Sequence, residues 1–438
     1  MVAAVVVAAA PVDPRSRLLV IAPHGSYRTA PYIQAASKRG MAALLASEGR
    51  HALTGAAAHG VQITLADPEA SLQAILRAAA EAPIAAVIGT DDGSTELGVQ
   101  AALALGLPHN PLDSVRYARR KDLARARLAA CGVPVPRHWR IDLLQPLTAQ
   151  LASLDYPVVV KPVALSGSRG VIRADSPEAA VRAVERLRPI LRDVTRPEER
   201  EQVLAEAFVP GAEVAVEGLL RRGQLQVLAV FDKPDALNGP FFEETYYVTP
   251  SRHPQATLTR LQQTLQRACD AYGLREGPVH AECRINDEGV WVIEVAARTI
   301  GGLCGRLLRF GTGYLLEDLV VAHALGEDLA VRSGEGAAGV MMIPIPQAGV
   351  LRRVEGMVAA QRVPFVEEVI VDVREGYELV PLPEGASYLG FIFAKAPTPE
   401  QVEAALRAAH AQLRIVVAPL WKVTEAAPAN IPVHACGS

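Results

Sequence analysis

Between residues 18 and 107, short apolar runs alternate with stretches of helical pattern, and this alternation is the strongest restriction on what the chain can become. LLVIAP, MAALLAS, VQITLA and IAAVIG are short enough to be strands, and the segment from Ala30 to Lys38 has helical polarity. Strands separated by helices pair in parallel, because a crossover has to carry the chain back before the next strand can join the sheet. An α/β, doubly wound parallel-sheet domain is therefore expected over residues 1–113. Gly40 and Gly106 sit where helices would stop. Asp91-Asp92-Gly93 follows a strand end, where open α/β sheets place their clefts, and capping of the next helix is the favoured reading of both aspartates.

A chain of 438 residues holds about three domains of ordinary size. Lys plus Arg is 44 against 47 Asp plus Glu, a net charge of −3, so no global basic field attracts nucleic acid. Cys131, Cys269, Cys283, Cys304 and Cys436 have neither disulfide nor zinc spacing and read as buried thiols of a cytoplasmic protein. The opening MVAAVVVAAAPVD lacks the basic start of a signal peptide and is too short to cross a bilayer, so it reads as a frayed tail or a misplaced start. No other apolar run reaches membrane-spanning length, and no membrane partner is expected.

From Ser114 to Ala130 a basic amphipathic helix is expected, closed by Gly132, Pro134 and Pro136. Strand-rich sequence follows, with a helix from Pro177 to about Leu187, and a helical stretch begins near Gly302. These segments define a middle domain over 114–335. GVMMIPIP, FVEEVIVDV and YLGFIFAKA, with a terminal helix from Glu400 to Leu413, suggest a small separate α+β unit over 336–438.

The sharpest chemical signal is the strand pair HAECRI and WVIEVAAR. A three-residue loop of Asp287, Glu288 and Gly289 pairs Asn286 with Val290, and so sets Glu282 opposite Glu294 on one face. Two facing carboxylates repel unless a proton or cation lies between them, as at a bridging Mg²⁺ site. Arg298 and the run Thr299-Ile300-Gly301-Gly302 resemble an anion cradle at a helix start. Lys161 ends the strand VVVKP, and the small residues of Ser166-Gly167-Ser168-Arg169-Gly170 let backbone amides approach a phosphate chain. Between two further strands, Glu206, Phe208, Val209 and Glu213 form a hinge suited to an adenine edge and ribose hydroxyls.

In this order along the chain, these stretches resemble the ATP-grasp superfamily, and within it the carboxylate-amine ligases of the L-amino acid ligase type. APHGSYRTAPYIQAA, FDKPDALNGPFFEETYYVTPS and the glycine- and aromatic-rich last segment carry the narrower resemblance, which runs from about Leu18 to Pro419. It implies a central two-lobed ATP-grasp domain, ATP with Mg²⁺ (or Mn²⁺), and ligation of a small carboxylate to an amine through an acyl phosphate. It also implies that Lys121 and Lys161 are phosphate lysines, residues 166–170 a glycine loop, and Glu206 the partner of the adenine amino group. Phe208 and Val209 would enclose the base, with Glu213 on the ribose, Glu282 and Glu294 on metal, and Arg298 beside the transferred phosphoryl group. One departure stands out: Ala296 replaces the Asn that the family usually places two residues after the second metal glutamate. His280, opposite Ala296 in the expected register, becomes a further catalytic candidate. Bicarbonate-using carboxylation, a purine-pathway ligation and a non-catalytic nucleotide-binding regulator remain as alternatives, and a homodimer is among the assemblies the chain allows.

Overall fold

A computed structural model describes residues 15–49, 58–329 and 334–420; MVAAVVVAAAPVD and Cys436 lie outside them. The N-terminal sheet has the strand order Ala58–Gln62, Ala42–Ser47, Arg17–Ala22, Ile84–Gly89, with every neighbouring pair parallel. Leu18 to Ala22 are completely buried, as an interior strand covered on both faces must be, which is why LLVIA reads as an unbroken apolar run. Helix Thr29–Ser37 matches the expected segment within one residue, and helix Pro68–Ala79 starts where the Asp67 carboxylate accepts the Ala70 N–H at 3.1 Å.

The single basic helix expected next is two helices, Leu112–Arg119 and Lys121–Ala130. Arg120 turns to an extended backbone between them because the Lys121 N–H leaves helical pairing to donate to Val163 O at 2.8 Å. This break fastens the second helix to the end of VVVKP. The first middle sheet orders His138–Asp142, Gln202–Ala207, Val158–Pro162 and Ile172–Ala174, all antiparallel, and helix Pro177–Leu191 covers it.

The second sheet has eight strands: Gly289–Ala296, Gly277–Asn286, Ala212–Arg221, Gln224–Lys233, Tyr246–Thr249, Ala337–Ile343, Gly390–Ala396 and Val366–Val371. Its last three strands come from beyond residue 336, so the C-terminal region is not the separate unit its pattern suggests. Tyr246–Thr249 would otherwise leave a bare edge, and Ala337–Ile343, buried along its whole length, pairs with it from Tyr246↔Met341 to Thr249↔Ala338. A three-stranded sheet of Glu378–Leu379, Gly349–Glu355 and Arg414–Ala418 completes this region.

The hairpin that carries the facing glutamates reaches the expected register by another route. Its loop has two residues, pairing Asn286 with Gly289, and a bulge between Cys283↔Val292 and Glu282↔Glu294 restores the one-residue offset. Glu282 is therefore opposite Glu294, and His280 opposite Ala296. Cys269, Cys283 and Cys304 are buried, whereas Cys131, just past a helix end, is exposed, contrary to the reading of every cysteine as interior. No helix among the described residues is long and apolar enough to cross a membrane.

Gly170 closes the loop after VVVKP at φ +75°, where a Cβ would lie 2.7 Å from Leu187 Cδ2 and 2.9 Å from Pro162 Cγ. Gly170→Ala combines a left-handed backbone with a clash against the helix that covers the sheet. It is expected to cost about 2 kcal/mol or more in a urea titration, measured as a shift in midpoint at constant slope.

Candidate active site

The eight-stranded sheet, the four-stranded sheet and the end of the parallel sheet enclose a cavity of about 1150 Å³. Glu282 and Glu294 line it, each about one-fifth exposed. Glu282 belongs to a carboxylate cluster with Glu213 and Glu244, whose oxygens approach within 4.8 Å of one another. Lys233 enters this cluster: its Nζ lies 2.8 Å from Glu213 Oε1 and 3.3 Å from Glu282 Oε1, and it also donates to Glu244. Burial would raise the Glu282 carboxyl, but Lys233 and His280 hold it well below its ordinary range. Burial and the neighbouring Glu282 push Glu244 up to about 7 against the pull of Lys233. Glu294 stands apart from the cluster, with Lys121 Nζ at 3.1 Å and Arg298 at 3.8 Å.

His280 bridges two carboxylates, its Nδ1 3.1 Å from Glu217 Oε2 and its Nε2 3.7 Å from Glu282 Oε1. Burial alone would lower its pKa, yet the two carboxylates outweigh burial and raise it to about 9. Glu217, fully buried, also accepts the Ile300 N–H at 3.1 Å. Gly302 N–H donates to Tyr27 Oη at 2.7 Å. Two amides of the expected anion cradle are thus already held by protein groups.

Arg298 is clamped from the N-terminal domain: its Nε and Nη2 each lie 3.0 Å from a different oxygen of Asp92, and Nη1 donates to Thr299 O at 3.1 Å. The capping reading fits Asp91, whose Oδ1 accepts the amides of Gly93 and Ser94, but Asp92 pairs with Arg298 instead. Burial would raise the Asp92 carboxyl, and Arg298 more than reverses this.

Lys121 begins its helix beside the cavity and donates to Leu165 O at 2.8 Å. Lys161 is buried, 2.6 Å from Glu206 Oε2, while Arg125 Nε lies 2.8 Å from the other Glu206 oxygen. Between these bases the Glu206 carboxyl drops to about 2 although burial alone would raise it. At the hinge, Phe208 N–H donates to Pro157 O at 2.9 Å and Val209 O accepts from Arg284 at 2.8 Å. The Phe208 ring packs against the guanidinium groups of Arg173 and Arg284, centroid distances 4.4 and 5.0 Å. Glu213 also accepts from Arg284 Nε at 2.9 Å.

Ser166, Gly167, Ser168 and Gly170 line or close the cavity as a loop in which Gly167, Ser168 and Gly170 all have positive φ. The C-terminal region fastens this loop. Gly170 N–H donates to Pro383 O at 2.8 Å, Arg169 Nε to Glu384 O at 2.9 Å, and Arg186 grips both Glu384 oxygens at 2.6 and 3.0 Å.

Residues 154–306 match the family model of the ATP-grasp domain, and residues 341–418 that of the L-amino acid ligase C-terminal domain 2. The crystal structure of an L-amino acid ligase from Bacillus licheniformis superposes with a TM-score of 0.77 at 27% identity, covering 92% of this chain and 99% of that one. The chain thus carries an ATP-grasp domain together with an L-amino acid ligase C-terminal domain. A D-alanine–D-alanine ligase from Aromatoleum aromaticum is 31% identical over 43% of this chain and 58% of its own length. Dapdiamide A synthase from Enterobacter agglomerans is 29% identical over 50% of this chain and 51% of its own. The chain thus spans only a little over half of these two curated relatives.

Every site residue expected from sequence lines or borders one cavity, Gly170 by closing the loop. Lys233, Glu244, Glu217 and Arg125 were missed. FDK and FFEE carry the first two in plain view, but only a folded sheet brings them beside Glu282. Two outcomes follow from this geometry. Glu282→Gln and Glu294→Gln should each lower ADP formation at least about 100-fold in a coupled assay, and near-normal turnover in either would remove that residue from the site. Arg186→Ala should raise the KM for ATP about two- to fivefold, the worth of one exposed ion pair, with recovery when Arg186→Glu is combined with Glu384→Arg.

Proposed function

We propose that the protein is an ADP-forming carboxylate-amine ligase that joins two amino acids, or an amino acid and another small amine, through an amide bond. The observation that carries this reading is the register that sets Glu282 opposite Glu294 in a cavity rimmed by Lys121, Lys161 and Arg298. Its support from similarity is the pairing of the ATP-grasp domain with the L-amino acid ligase C-terminal domain.

The donor set fits ATP with Mg²⁺ or Mn²⁺: carboxylate oxygens for a hard cation, lysines and a small-residue loop for phosphates, and an apolar hinge for a base. Glu282 and Glu294 would hold the metal, which when bound screens the triphosphate charge. Lys121, Lys161 and residues 166–170 would bind the phosphates. Phe208 and Val209 would flank the adenine, Glu206 would face its amino group while keeping Arg125 and Lys161, and Glu213 would serve the ribose. A substrate carboxylate oxygen attacks the γ-phosphorus and the bond to ADP breaks, leaving an acyl phosphate. An amine nitrogen then attacks the acyl carbon, inorganic phosphate leaves, and the amine loses its proton.

Arg298 is aimed where charge develops in the first step, because Asp92 fixes its fork. His280, held between Glu217 and Glu282, keeps the Glu282 side chain oriented in the space beside Ala296. Water would hydrolyse an acyl phosphate, so the loop and its fastening to Pro383 and Glu384 act by exclusion. The acidic cluster around Glu244 suits a substrate ammonium. The same reading places the protein in the cytoplasm, where ATP is abundant and Cys269, Cys283 and Cys304 stay reduced.

A pairwise screen of L-amino acids for ATP-dependent phosphate release, with mass spectrometry of the products, tests the proposal. Dipeptide formation is the expected result. Phosphate release stimulated by bicarbonate alone would transfer the protein to the carboxylating branch of the fold. In the active pair, Arg298→Lys should lower kcat at least about 100-fold with little change in ATP affinity, whereas Lys161→Ala should weaken ATP binding itself.

A further inference from the structure

Side chains alternate along the strand Ala212–Arg221: Val214 and Val216 enter an apolar core, while Glu213, Ala215 and Glu217 share the other face. In register, Glu213 stands opposite Arg284, Ala215 opposite Glu282 and Glu217 opposite His280. Glu217 therefore sits one row behind the facing glutamates. It is completely buried and does not itself line the central cavity, although His280, Glu282, Arg298 and Ile300 do. Among the described residues no lysine or arginine pairs with it, and His280 is its ion-pair partner. An apolar side chain would fill such a position at less cost in free energy than a carboxylate, so a glutamate buried here calls for a use.

The carboxylate joins two parts of the cavity wall. Its Oε2 lies 3.1 Å from His280 Nδ1, and the other nitrogen of that imidazole lies 3.7 Å from Glu282 Oε1. Its two oxygens also accept the Ile300 N–H, at 3.1 and 3.2 Å. Ile300 is buried, so without Glu217 this amide would lose its acceptor. Arg298 precedes Ile300 by two residues, and the far side of their loop is held by the N-terminal domain. Asp92 pairs with Arg298, Arg28 donates to Thr299 O at 3.1 Å, and Tyr27 Oη accepts the Gly302 N–H at 2.7 Å. Glu217 ties the same loop to the sheet, and through His280 to Glu282.

We propose that Glu217 is a positioning residue for phosphoryl transfer: by binding His280 and the Ile300 amide at once, it holds Glu282 and Arg298 at a fixed separation. The inference rests on the ligase reading above and adds what couples the metal side of the site to its arginine. Glu217 acts by reach rather than by charge. Glu217→Gln keeps the length, since the amide carbonyl can accept the Ile300 N–H while the amide N–H donates to an unprotonated His280 Nδ1. Glu217→Asp keeps the charge but is one methylene shorter, and cannot meet both partners.

The test measures ADP formation by the full-length enzyme with an active pair from the amino-acid screen. Glu217→Asp should lower kcat at least about tenfold and change the KM for ATP less than about twofold, because a displacement on the order of 1 Å beside the reacting atoms acts on the transition state. Glu217→Gln should stay within about threefold of wild type in both parameters. Combined with Arg298→Lys, Glu217→Asp should cost less than about a further threefold, since little then remains for it to position, whereas a folding defect would multiply unchanged. A loss in Glu217→Gln equal to or larger than that in Glu217→Asp, or an undiminished loss beside Arg298→Lys, would overturn the coupling and leave the ligase reading intact. A wild-type enzyme that forms ADP with no pair would overturn the ligase reading, and the positioning role with it.

Discussion

Among the described residues, every buried acid that lines the central cavity has a base beside it, and this constraint organises the rest. An unpaired buried ion costs several kcal/mol, so each acid is given a base by another element of the fold. Lys233 enters the cluster of Glu213, Glu244 and Glu282, Arg125 and Lys161 bracket Glu206, and Asp92 crosses from the N-terminal domain to Arg298. Lys233 shares a sheet with Glu213 and Glu282, and Lys161 with Glu206, whereas the Asp92–Arg298 pair crosses between domains and so bears on how they meet. Under the proposed function, a triphosphate and its metal would exchange with these pairs rather than enter an unsatisfied site, and the nucleotide-bound arrangement would be a rearrangement of existing partners.

Sequence legibility followed the range of the interaction. The four parallel strands, the facing glutamates and the small-residue loop are local patterns, so periodicity and spacing exposed them. The hairpin shows a right register reached through wrong details: a two-residue loop and a bulge add up to the same offset as a three-residue loop. Register was recoverable because a slip by one residue would have moved Glu282 and Glu294 to opposite faces. Asp92, Glu217 and Lys233 were not legible in their roles. Each depends on a partner 63 to 206 residues away, or on a neighbouring strand that only the folded sheet supplies.

The C-terminal region shows the same limit at the level of domains. Its apolar strands announce themselves, but nothing in their pattern says which edge they join. By pairing Ala337–Ile343 with Tyr246–Thr249, the chain makes the third region a continuation of the sheet that holds Lys233 and Glu282. Strand pairing tolerates little displacement along its axis, so this region holds its position relative to the carboxylate cluster far better than a linker could.

That continuity gives the C-terminal region two duties at once. Pro383 and Glu384 fasten the loop of residues 166–170, while Phe393 and Lys395 line a second cavity of about 920 Å³ beside the first. Both sets lie next to the strand Gly390–Ala396 or on it, and that strand is paired on either side. A ligase of the proposed kind would have to keep water from its activated intermediate until an amine is in place. The residues that hold the loop and those that line the second cavity come from one stretch of chain, residues 383–395, that ends in a strand paired on both edges. A displacement of that strand would reach both, so water exclusion would follow the sheet rather than a separately hinged lid.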